Sequence, residues 1–223
     1  MARSNRQLIL PAAPTWGGRR EGAGRKPAAR RRRVPHARRP VHDRRCPAHV
    51  TLRVHDGLPS LRRDDVFVAI RGAFARASRG GFRLLHYSVQ RDHVHLLVEA
   101  ERHLVLRRGI QGLAIRLAKA TNRALCRRGK VWADRYHVRA LATPREVRHA
   151  LVYVLQNWRK HLDGARGFDP RSSAAWFTGW RTPATAPPLR SPVVRAQTWL
   201  ASVGWRRHGL VRADEAPRPF SRR

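Results

Sequence analysis

The chain has 223 residues, enough to bury one substantial core with a small appendage. It carries 48 Lys and Arg against 14 Asp and Glu, a formal net charge of +34. Such a chain repels itself unless it meets a polyanion, so nucleic acid is the expected partner, bound through phosphate contacts and counterion release. Two cysteines, Cys46 and Cys126, exclude a disulfide framework and a Cys-x-x-Cys zinc pair, which points to a reducing cytosol. No apolar run approaches the roughly 20 residues of a membrane span, there is no basic amphipathic helix with a large apolar face, and Pro11 interrupts Leu8-Ile9-Leu10, so no signal-peptide core forms.

Residues 1–45 read as a flexible basic arm. TWGGRREGAGRKPAARRRRVPHARRP has little to bury, so it orders only on a partner. Its cations Arg19, Arg20, Arg25, Lys26, Arg31, Arg32, Arg33, Arg38 and Arg39 are the expected DNA contacts. The Gly24–Pro27 piece has the character of an arm that lays a cation into a minor groove.

Residues 47–55 alternate as a half-buried strand. Val50, Leu52 and Val54 share one face; His49, Thr51, Arg53 and His55 share the other, where His49 reads as a surface histidine. Ser60 is placed to cap a helix with the stripe Val66, Ile70, Ala73, Phe74 and Ala77, ended by Gly80-Gly81. A hairpin follows from Phe82 to Val98, turning at Arg91-Asp92. In its second strand His93 and His95 point one way, while Val94, Leu96 and Val98 point the other. A long helix over 102–127 and a fourth strand over 136–141 come next, with Tyr136 at the strand entry. Thr143-Pro144-Arg145-Glu146 is a helix start with a capping box and Pro at the first position. Val147, Leu151, Val154, Leu155 and Trp158 line one side of that helix; Tyr153 lies far round from it, with His149 and Asn157 one turn either way.

The order from Pro47 is strand, helix, strand, strand, helix, strand, then an extra helix. This is the split βαβ, ferredoxin-like order of an α+β domain. It predicts an antiparallel sheet with the first two helices on one face and the other face open to a ligand. The domain is expected over 46–163. Residues 164–223 form a Trp-rich extension, packed on the domain to about residue 211 and frayed beyond it.

Two histidines at strand spacing can bind one divalent metal, but His-x-His alone is a weak signal, and a lone helical Tyr is ordinarily a packing residue. A phenol is a poor nucleophile at its free pKa and needs activation. Of three tyrosines, only Tyr153 sits on the polar side of a well-marked helix, beside a ligand-capable Asn157.

The combination of His93-Val94-His95-Leu96-Leu97-Val98 with Tyr153-Val154-Leu155-Gln156-Asn157 resembles the His-hydrophobic-His strand and the Tyr-Ile-x-x-Asn helix of the HUH endonucleases, in particular the single-tyrosine transposases. The basic GGRREGAGRKP arm, VTLRV, the GKVWADRYH approach and SSAAWFTGW are similar to the REP-associated tyrosine transposases, over about residues 15–210. The resemblance implies cleavage of single-stranded, hairpin-forming repeat DNA, a 5′-phosphotyrosine and a free 3′-hydroxyl. It implies Tyr153 as nucleophile, His93, His95 and Asn157 as ligands of Mg²⁺ or Mn²⁺, and a cytoplasmic, nucleoid-associated protein. A monomer is expected, with a homodimer as the other option. Two departures stand out: Asp92 replaces the Asn common before the histidines, and Trp158-Arg159-Lys160-His161 replaces the usual Pro-Val-Arg-Ala, so the helix is free to run a turn further. The alternative function is a non-catalytic nucleic-acid binder with a decayed site. An RNA-binding module lacks its sheet aromatics here, and a zinc hydrolase lacks His-Glu-x-x-His.

Overall fold

A computed structural model of the chain describes residues 40–160, 167–184 and 190–217. The arginines and the lysine expected to contact DNA, at 19–39, lie outside the described residues. The elements are β1 (Ala48–Arg53), α1 (Asp64–Phe74), β2 (Phe82–Val89), β3 (His93–Ala100), α2 (His103–Ala124), β4 (His137–Ala140), α3 (Pro144–Gln156) and a short α4 (Trp199–Ser202). Four strands form one antiparallel sheet in the order β2-β3-β1-β4. This is the α+β, ferredoxin-like arrangement expected from the element order.

One face of the sheet is a continuous apolar layer. Val50 and Leu52 of β1 and Val94, Leu96 and Val98 of β3 meet Val66, Ile70 and Phe74 of α1 and Ile110, Leu113 and Leu117 of α2. Each such side chain contributes about 1.5–3 kcal/mol by leaving water. Tyr87 belongs to this layer, stacked on Phe74 at 4.2 Å, so it is a packing residue. α1 begins differently from the expectation. Arg63 is its N-cap and no side chain caps it; the Ser60 hydroxyl instead accepts from the Arg62 backbone N–H in a turn that buries Leu61.

The second face is not open along its whole width. α3 lies over β2 and β3, and Leu85 and Leu97 join Val147, Leu151 and Leu155 in a second apolar cluster. At a bulge between Leu84 and His86, Leu85 and His86 both turn to this face, while Leu84 stays in the first layer. The C-terminal extension completes this cluster with Phe177, Trp180 and Trp205. It also covers the exposed edge of β2: Ser173 N–H donates to Tyr87 O, Val89 N–H to Arg171 O, and Val194 N–H to Leu84 O. Arg62 grips the buried Asp169 carboxylate through two hydrogen bonds of 2.8 and 2.9 Å. Residues 212–217, expected to fray, are held to α3: Arg148 pairs with Glu215 at 2.6 Å, and the Gln156 amide donates to Ala213 O.

α3 starts as its sequence dictates. The Thr143 hydroxyl accepts from Glu146 N–H at 3.2 Å, and the Glu146 carboxylate returns to Ala142 N–H and to Arg139 of β4. This ties the N-terminus of α3 to the sheet and fixes which way Tyr153 faces. Past Gln156 the helix continues one turn as a 3₁₀ helix, Asn157–Lys160.

Candidate active site

Register alone assembles a polar field on the second face. Thr51 of β1 lies opposite His95 and Arg53 opposite His93, while on the other side His49 and Thr51 face Arg139 and His137 of β4. α3 crosses the β2–β3 side of this face, and its Tyr153 meets the strip.

His93 and His95 converge. Their Nε2 atoms are 3.0 Å apart. The His93 Nδ1–H donates to Asp92 Oδ1 at 2.6 Å, and Asp92 is also held by Arg53. Burial works against the Asp92 carboxylate, but the hydrogen bonds and charges of His93 and Arg53 outweigh it and hold the carboxyl below its usual range. An ionised Asp92 is an acceptor only, which places a proton on His93 Nδ1; in its neutral form the ring then presents the Nε2 lone pair. Asp92 therefore orients the ring, the work ordinarily done by a carboxylate behind a ligating imidazole. On His95 the corresponding Nδ1 lies 3.2 Å from both His49 Nε2 and Thr51 Oγ1. Contrary to the surface reading, His49 is only 4% exposed, covered because α3 and β4 flank it. Burial, with the charges of His137, Arg139 and His93, drives its pKa down to about 3, so it is neutral.

Tyr153 belongs to the same site. Its ring centroid is 5.0 Å from that of His95 and 5.7 Å from that of His49, both edge-on. One chain thus supplies both the strand half and the helix half. Burial raises the phenol pKa, and the Lys160 ammonium lies over the ring, 4.5 Å from its centroid. Asn157 is not on an exposed polar face: it is the C-cap of α3, 1% exposed, and its amide nitrogen has no hydrogen-bond partner among the described residues.

The donor set fits a divalent ion in part. Two nitrogens about 2.1 Å from a common ion and about 90° apart lie about 3.0 Å from each other, and 3.0 Å is the Nε2–Nε2 distance found. At this distance the two nitrogens share either a proton, as N–H···N, or a cation. Among the described residues no three His, Cys, Asp or Glu side chains group to hold an ion. Among the described residues a further protein ligand would be of another residue type, and the orphaned Asn157 carboxamide is the candidate on α3. Asp92, Thr51, His49 and Lys160 were not assigned site roles from sequence. The alternation of β1 does put His49 and Thr51 on the face of the histidines, and that was the available signal.

Fold and sequence family together define a DNA transposase domain. Residues 47–157 match the family model of IS200-like transposases, a span that opens at the entry to β1 and closes on Asn157. The chain belongs to the IS200-like transposase family. No curated protein matches it. Among solved structures it is similar to a REP-associated tyrosine transposase bound to a REP hairpin, with 17% identity over 57% of this chain and 74% of that one, at a TM-score of 0.47. Among the described residues no helix is long and apolar enough to cross a membrane.

Proposed function

We propose that this chain cleaves single-stranded DNA beside hairpin-forming repeats, with Tyr153 as the nucleophile and His93, His95 and Asn157 as ligands of Mg²⁺ or Mn²⁺. The observation that carries the reading is the meeting, within one chain, of the Tyr153 ring with an imidazole pair whose Nε2 atoms face each other at 3.0 Å.

In this reading the Tyr153 phenol gives up its proton and its oxygen attacks the scissile phosphorus. The bond to the 3′ oxygen breaks, and that oxygen leaves as a hydroxyl. The product is a 5′-phosphotyrosine with a free 3′-hydroxyl. The reverse attack rejoins the strand, because the phosphodiester energy is kept in the tyrosine ester. A divalent ion held by His93, His95 and Asn157 would supply positive charge at the scissile phosphate and lower the cost of the attack. The chain's own residues do the rest. Asp92 and the Nδ1 partners of His95 fix the imidazoles, α3 aims Tyr153, and Lys160 places a cation beside the ring where phenolate charge develops. The net charge of +34 supports tight, salt-dependent DNA association, with the cations at 19–39 among its phosphate contacts. A REP-type hairpin is the substrate class favoured by the resemblance of the arm and of SSAAWFTGW.

Incubation with hairpin-tipped single-stranded DNA and Mn²⁺ tests the reading. Wild type gives a covalent protein–DNA band that survives denaturing electrophoresis, and Tyr153→Phe gives none. Equal adduct from the two proteins overturns the nucleophile. No adduct from wild type, with DNA still bound, supports the non-catalytic binder instead.

A further inference from the structure

His93 and His95 are held by different devices. Behind His93 stands a carboxylate. Behind His95 stands a third imidazole: His49 Nε2 lies 3.2 Å from His95 Nδ1, and the two rings stack at 5.2 Å with 29° between their planes. The same His49 ring meets Tyr153 edge-on at 5.7 Å. His49 therefore touches both the strand half and the helix half.

The tautomer that a ligating His95 requires defines the role of His49. For His95 to present a lone pair on Nε2, its proton must sit on Nδ1, and that N–H needs an acceptor. Two acceptors within reach are His49 Nε2 and Thr51 Oγ1. A ring nitrogen is the stronger base of the two, and a hydroxyl is equally ready to donate in the wrong direction. We infer that His49 is a positioning residue of this site: its Nε2 accepts the His95 Nδ1–H, fixing the His95 tautomer for a divalent cation while its ring edge seats Tyr153. The inference rests on the metal reading above. Mutating such a partner ordinarily lowers metal affinity 10–100-fold without touching a ligand.

Mn²⁺ binding to the full chain, followed by calorimetry or electron paramagnetic resonance with no DNA present, tests it. His49→Phe keeps a ring of similar size but has no acceptor; it is expected to lose about tenfold or more in Mn²⁺ affinity with its thermal midpoint close to wild type. His49→Gln puts a carboxamide oxygen within reach of His95 and is expected to bind Mn²⁺ nearly as wild type does. His49→Leu carries the same expectation as His49→Phe where the larger ring fails to fold. Acceptor-free variants that bind Mn²⁺ as wild type does overturn the inference and leave the metal reading standing. Equal losses in the Gln and Phe variants also overturn it, since they would make packing the cause. A wild type without a Mn²⁺ site that His93→Ala removes overturns the metal reading and this inference together.

Discussion

The two faces of the sheet are cut from the same strands and do opposite work. On the α1/α2 face, β1 and β3 show Val50, Leu52, Val94, Leu96 and Val98, all buried in one apolar layer. On the α3 face the intervening residues are His49, Thr51, Arg53, His93 and His95, with Leu97 apolar where α3 crosses. A one-residue slip of either strand would exchange the two sets. The register that builds the core is thus the register that builds the site, and the apolar face pins the imidazoles in place. The comparison teaches that stability and chemistry are separable here by face, residue by residue.

The sharpest way to break that division is the double change His93→Ala with His95→Ala. Covalent adduct on single-stranded DNA is expected to fall to background, while the urea midpoint stays near wild type. A collapse of the midpoint would show the imidazoles to be structural. On the other face, Leu96→Ala removes a fully buried side chain and is expected to cost about 2–5 kcal/mol in urea unfolding. Adduct per folded molecule should be unchanged; a proportionate loss would mean the faces are coupled.

A smaller effect is expected from pH. His86, half-buried beside Ser173 and Phe177, has its pKa lowered by desolvation from 6.5 to about 3. Between those values the unfolded chain binds a proton that the folded chain refuses, so stability falls as pH drops from about 6.5 towards 3. Above about pH 4.5 the carboxylates held low in the fold, such as Glu146 and Glu215, contribute little to this slope. Urea midpoints between pH 7 and 5 should therefore decline, and less steeply in His86→Leu. An identical decline in the variant would remove His86 as the cause. Smallest is Thr143→Ala, which deletes the cap on α3 and is expected to cost about 1 kcal/mol with the adduct intact.

Much of this was legible in the sequence because it is local. Alternation in β1 and β3, the capping box of α3 and the order of elements follow from periods of two and 3.6 and from turn chemistry. What stayed hidden depends on partners distant in the chain. His49 looks like a surface histidine until β4 and α3 close over it. Asn157 and Gln156 look polar-facing, yet both are buried, and residues 212–213 bond the Gln156 amide. The bulge at Leu84/His86 leaves no signature in the alternation, yet it puts Leu85 and His86 together on the α3 face. Gly179 reads as a loop glycine; a Cβ there would lie 2.4 Å from both Phe177 and Trp205, so it marks where the extension docks.

The most direct test of the account is to digest the covalent adduct formed by wild type with hairpin-tipped single-stranded DNA and Mn²⁺, and to locate the DNA-linked peptide by mass spectrometry. The account predicts a 5′-phosphate ester on the Tyr153 phenol. A DNA-linked peptide that contains Tyr136 and not Tyr153, or an adduct joined through a 3′-phosphate, would contradict it.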